Sequence, residues 1–226
     1  MQWLGRKGGW RKLGLGAGIA LLLVCVGGLQ AGWDFNQISR RAEQLYGPLG
    51  EGRERIEAWQ RLLEQQAGAE ELEQLKAVNR FFNLRLRFRE DSELWRVQDY
   101  WATPVEALWR GAGDCEDYAI AKYISLRQLG VASDKLRITY VKALRLNQAH
   151  MVLTYYAHPL AEPLVLDNLI DAIEPASRRP DLQPVYAFNA EGLWLPGAGG
   201  GRQVGNSKQL SRWQDLLKKM RAEGFP

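Results

Sequence analysis

Two spacings of apolar residues divide the chain. In the first half they recur at helical intervals. Ile56, Trp59 and Leu63 fall at i, i+3 and i+7, and Leu72, Leu75, Val78 and Phe82 continue a similar stripe. Two or three helices are predicted there, each with a charged face in solvent. Thr103-Pro104-Val105-Glu106 is a helix start, because Thr can cap, Pro suits the first helical position and Glu completes a capping box. That short helix should stop at Gly111. A second start follows at once, with Asp114 as N-cap and a helix running to Leu129 before Gly130.

Beyond Gly130 the period changes to two. Leu136, Ile138 and Tyr140 alternate with Arg137, Thr139 and Val141, and His150 to Tyr156 is rich in β-branched and aromatic residues. Pro163 to Leu169, Val185 to Phe188 and Leu193 to Leu195 read as further strands. Leu210, Trp213, Leu217 and Met220 predict a closing amphipathic helix, capped by Ser207. Helices first and a mostly antiparallel sheet afterwards describe an α+β domain over residues 32–226. Gly197 to Gly201 lacks phosphate-binding spacing and reads as a loop.

Charge changes the picture at one end only. The net charge of the 226 residues is +4. Arg6, Lys7, Arg11 and Lys12 account for all of it, since residues 1–31 contain no acid. A balanced remainder removes the electrostatic case for nucleic-acid binding. Those four bases precede the apolar run Leu13 to Leu29, the pattern of a signal peptide or a retained membrane anchor. Either places the domain outside the cytoplasm. Cys25 lies inside that run, and Val24 before it makes a poor lipoprotein site. Once a signal is removed, Cys115 is the lone thiol, which in an oxidising compartment needs burial or a task.

Cys115 falls in the first turn of the helix opened by Asp114. There the unpaired backbone N–H groups favour thiolate, and the residue's own N–H can face a developing oxyanion. Of the two histidines, His150 opens a strand, while His158 precedes Pro159 in a predicted loop and suits a solvated surface role. Asp167 ends the apolar strand Leu164-Val165-Leu166 and needs a partner there. An acid that orients an imidazole, which activates a thiol, is the general triad arrangement. Asn168 or Asp171 could replace Asp167 in that role, and sequence alone excludes neither. Trp101 fits either a groove wall or the core.

Asp114, Glu116 and Asp117 surround the thiol. As helix-terminus residues they cap and complement the dipole, yet three carboxylates beside Cys115 disfavour a thiolate. At ~100° per residue they share an arc of ~160° with Cys115 outside it, which suits a hard cation such as Ca²⁺.

The blocks Trp101-Ala102-Thr103-Pro104, Gly111 to Lys122 (GAGDCEDYAIAK), Ala149-His150-Met151-Val152-Leu153 and Leu166-Asp167-Asn168 resemble those of LapG-type bacterial transglutaminase-like cysteine proteases. The likeness extends from about Trp95 through Pro184 to Asn189, Gly192 to Leu195 and the final helix. It implies a papain/transglutaminase-like fold and a Cys115-His150-Asp167 triad. It also implies calcium held by Asp114, Glu116 and Asp117. Implied too is a periplasmic endopeptidase that cuts the N-terminal retention region of a large surface adhesin at a di-alanine site, releasing it and dispersing biofilm. The implied partners are that adhesin and the periplasmic domain of an inner-membrane cyclic di-GMP receptor, which sequesters the enzyme. A transglutaminase or amidase, and a non-catalytic receptor-binding adaptor, are the rival readings.

Overall fold

The computed structural model describes residues 32–197 and 201–226. The leader expected over 1–31, with Cys25, lies outside the described residues, as do 198–200 of the glycine-rich loop.

Three helices come first: α1 (Phe35–Tyr46), α2 (Glu51–Gln66) and α3 (Glu71–Arg85). Ile56, Trp59 and Leu63 are buried as their spacing requires. The second stripe begins one turn late: Leu75, Val78 and Phe82 are buried, but Leu72 is 48% exposed. After β1 (Arg87–Phe88) and the single turn α4 (Asp91–Leu94) comes α5 (Pro104–Arg110). Its capping box forms as read. Thr103 Oγ1 accepts from the Glu106 N–H at 3.0 Å, and Glu106 Oε2 accepts from the Thr103 N–H at 2.8 Å. Gly111 ends the helix at φ +63, where a Cβ would be strained and would also meet the Arg55 guanidinium at 2.8 Å.

Next come β2 (Ala112–Gly113) and α6 (Cys115–Gln128). From Asp117 to Leu126 every residue of α6 is buried, the mark of a central helix enclosed on all sides. Its N-terminus is fixed from outside. β1 pairs with β2 in parallel, the Arg89 N–H donates to the Gly113 carbonyl at 3.0 Å, and Tyr118 Oη donates to the Leu86 carbonyl at 2.8 Å.

The second half is one sheet of β3 (Leu136–Ala143), β4 (Gln148–Tyr155), β5 (Leu164–Leu166), β6 (Glu174–Pro175), β7 (Leu182–Phe188), β8 (Leu193–Leu195) and β9 (Arg202–Gly205). Their order is β6-β5-β4-β3-β7-β8-β9, with every neighbouring pair antiparallel. Ile138, Met151, Leu153 and Leu166 face the main core with α6, while Val141, Val152 and Val165 form a small separate cluster. The predicted strand over 163–169 is shorter than expected, because the chain leaves the sheet at Asp167. The final helix α7 (Ser211–Ala222) packs through Trp213, Leu216 and Met220. Ser207 does not cap it: that residue sits in a preceding 3-10 turn, and its hydroxyl donates to the Ala190 carbonyl at 2.7 Å. Beyond α7, Phe225 meets Trp33 edge to face at 4.7 Å, so the two ends of the domain touch. The α+β architecture is the one expected.

Candidate active site

Sheet register decides which side chains can meet. Leu153 pairs with Leu166, so the next residue along, Asp167, lies on the face of Val152 and therefore of His150. The side chains do meet. His150 Nε2 is 2.8 Å from Asp167 Oδ1, and both residues are buried. Asp167 Oδ1 also accepts from the Leu169 N–H at 3.1 Å, and Oδ2 accepts from Arg179 Nη2 at 2.7 Å. Together these hold the Asp167 carboxyl down at about 2, against the opposing effect of burial. The acid bonded to His150 is thus Asp167 and not Asn168 or Asp171; Asp171 is exposed and accepts from Asn83 Nδ2 at 3.0 Å. His158 is exposed.

Cys115 begins α6 at a partly buried position. Its thiol sits against β4, where the Met151 backbone N–H donates toward it. Since Met151 follows His150, the helix end and the imidazole come from touching elements. Nε2 is committed to Asp167, and Nδ1 is the ring nitrogen that remains. On the other side Cys115 Sγ donates to Glu116 Oε2 at 3.1 Å. Burial first, then the charges of Glu116 and Asp114, push the thiol well up. Glu116 therefore touches the sulfur, and the helical-wheel reading that sets Cys115 apart from the acids is corrected.

The acids extend further than the sequence implied. Asp91 in α4 and Asp99 join them, and the groups whose oxygens lie within 4.8 Å of one another are Asp91 with Asp114 and Asp117, and Asp91 with Asp99 and Glu116. Asp114, Cys115 and Glu116 form a third such group. Asp117 is turned inward as a brace: Oδ1 accepts from the Ala102 N–H at 2.7 Å and Oδ2 from the Asp114 N–H at 3.3 Å. Gly113 is required there, since a Cβ would stand 2.6 Å from Asp117 Oδ2. Asp91 accepts from the Tyr100 N–H. Among the described residues, Asp91 Oδ1 and Asp114 Oδ1 are buried without a hydrogen-bond partner. Burial, then mutual repulsion, pushes the Asp114 carboxyl up to about 10; burial also lifts Asp91 to about 6. Buried oxygens without donors, clustered among like charges, fit a hard divalent cation.

Asp91, Asp99 and Arg179 are the site residues that sequence reasoning missed. The acid-rich run Glu90-Asp91-Ser92-Glu93 was the one available signal for the first, and nothing local marks the others. Trp101 is core: it stacks on Phe188 at 5.5 Å. A cavity of about 410 Å³ lies on the sheet face of Val141, Val152 and Val165 and borders Arg179, with Cys115 not among its lining.

Comparison with known proteins bears on this geometry. The family model of bacterial transglutaminase-like cysteine proteinases matches residues 54–181. The solved LapG of Legionella pneumophila is 45% identical, covers 81% of this chain and 97% of its own, and superposes with a TM-score of 0.70. Its EGTA-treated form gives 0.71 over the same shares at the same identity. The calcium-bound form gives 0.70 over 82% and 98%, again at 45% identity. No curated protein matches the chain.

Proposed function

Because this chain belongs to the bacterial transglutaminase-like cysteine proteinases, we propose that it is a calcium-dependent endopeptidase worked by Cys115, His150 and Asp167. The observation that carries the reading is the buried 2.8 Å contact of Asp167, just beyond β5, with His150 on β4, the strand that packs on the helix opened by Cys115. Asp167 holds the proton on Nε2, and Nδ1 takes the proton of Cys115. The thiolate attacks a peptide carbonyl, and the backbone N–H of Cys115 donates to the oxyanion. Imidazolium then gives its proton to the leaving amine. Water, deprotonated by the same imidazole, releases the acyl group and restores the thiol.

Asp91, Asp114, Glu116 and Asp117 would hold the calcium, as the relative solved in calcium-bound form suggests. Calcium supplies the positive charge that offsets the acids beside the sulfur. The resemblance in sequence supports the finer reading: a periplasmic enzyme cutting the N-terminal retention region of a large adhesin at a di-alanine site, held in check by the periplasmic domain of a cyclic di-GMP receptor. Release of the adhesin would disperse biofilm.

The test is incubation with the N-terminal fragment of a candidate adhesin from the same genome, with calcium, followed by product masses. Cys115→Ala should abolish cleavage and leave the thermal melt nearly unchanged. Normal release by that variant would refute the reading.

A further inference from the structure

The carboxylate behind His150 serves two side-chain donors. Asp167 is 1% exposed, and its oxygens are divided: Oδ1 takes His150 and the Leu169 N–H, and Oδ2 takes Arg179 Nη2. Arg179 is itself only 5% exposed, and a second acid keeps it in place. Its Nε donates to Asp181 Oδ1 at 3.0 Å and its Nη2 to Asp181 Oδ2 at 2.9 Å. The backbone adds to this, since the Arg179 N–H donates to the Ala176 carbonyl and the Leu182 N–H donates to the Arg179 carbonyl. The guanidinium is therefore aimed by the turn that leads into β7.

Other charges face the same acid. Lys122 on α6 is fully buried, has no hydrogen-bond partner among the described residues, and is attracted to Asp167 and Asp171. Of all these, Arg179 alone ion-pairs with Asp167 besides His150.

We propose that Arg179 is a positioning residue of the proteolytic reaction, holding Asp167 so that one fixed oxygen meets His150 Nε2. A carboxylate turns easily about its last torsion, which has two equivalent wells. One nitrogen of a guanidinium whose fork is gripped by Asp181 occupies Oδ2 and removes that freedom. It also offsets part of the charge of Asp167, shared with Asp181, while the acid orients the ring and sets its tautomer. The imidazole's other nitrogen then keeps its lone pair toward the thiol. Asp181 holds Arg179 in the plane this needs. The proposal rests on the triad reading above.

The experiment uses the full chain with calcium and the adhesin fragment. Arg179→Met should lower kcat about 30-fold or more with KM within about twofold, the pattern of lost alignment rather than lost substrate binding. Arg179→Lys, which restores a charge and a donor at Oδ2, should recover most of the loss. A second reading needs no turnover. The low-field proton resonance of the His150–Asp167 hydrogen bond should appear in Cys115→Ala, persist when Arg179→Lys is added, and broaden away when Arg179→Met is added. An unchanged kcat in Arg179→Met, or a reduced one with the resonance intact, overturns the proposal. If Arg179→Met does not fold, Arg179→Gln decides, and wild-type kcat there overturns it too. Continued cleavage by Cys115→Ala would refute the triad instead, and the resonance distinguishes the two failures.

Discussion

The same functional group meets opposite fates on either side of Cys115. Asp167 is buried among donors the chain itself provides, from His150, Leu169 and Arg179, and its carboxyl is held down at about 2. Asp114 is buried among Asp91, Glu116 and Asp117, and its carboxyl is pushed up to about 10. Both acids are out of water, so desolvation penalises each. What separates them is where the compensating charge comes from. On the His150 side the fold supplies it. On the other side the chain builds a nest of oxygens and leaves the positive charge to be brought from outside. The sulfur lies between, raised by the second group, and its reactivity becomes conditional on whatever fills that nest.

Removing calcium should therefore give the largest effect. In EGTA proteolysis should fall to background, and alkylation of Cys115 by iodoacetamide should slow at least about tenfold, since like charges raise the thiol. The Legionella protein keeps a comparable superposition on this chain in its EGTA-treated and calcium-bound forms, so the loss should lie in charge and not in unfolding. Unchanged proteolysis and melting in EGTA would reduce the acids to helix braces.

Asp167→Asn attacks the other half of the contrast. It should cut kcat about 10²-fold or more, because an amide no longer fixes the imidazole tautomer. It also has a signature in stability against pH. The folded carboxyl lies near 2 and the unfolded one near 3.9, so its stabilisation is complete above about pH 4 and vanishes as pH falls through 2. Denaturant titrations should show wild type losing on the order of 2 kcal/mol more than Asp167→Asn across that window. Parallel curves for the two proteins would contradict the pairing.

A smaller effect follows from the acid that sequence did not supply. Asp91→Ala should weaken calcium binding about tenfold or more by calorimetry, comparable to the loss of a supporting ligand contact. Wild-type affinity would place Asp91 outside the site. Least of all, His158→Gln should leave kcat and KM unchanged, because only His150 faces the acid; a deficit there would reopen which histidine works.

The two halves of the contrast were unequally legible in sequence. The capping box at Thr103, the stop at Gly111 and the start at Asp114 are local, so they could be read within a few residues. His150 and Asp167 were legible as an imidazole opening one apolar strand and an acid ending another, but the choice of Asp167 over Asn168 and Asp171 needed the contact itself. Arg179 lies twelve positions after Asp167, past β6 and a 3-10 turn, and no periodicity links them. Asp91 and Asp99 meet Asp114 and Glu116 through packing of α4 against the β2 turn, which spacing cannot report. The acids of the nucleophile's own helix were visible for the opposite reason, being neighbours in sequence. Strands β6 and β9 were missed because two to four residues are too few to show a period, and Ser207 because its hydroxyl serves the Ala190 carbonyl instead of a helix end.

The edge-to-face contact of Trp33 with Phe225 has a practical consequence for engineering. With its first and last aromatic rings in contact, the domain could be circularised by a short peptide joiner and reopened in the exposed stretch around Leu160. The order in which helices and strands leave the ribosome would then change, while thiol, imidazole and acid kept their places.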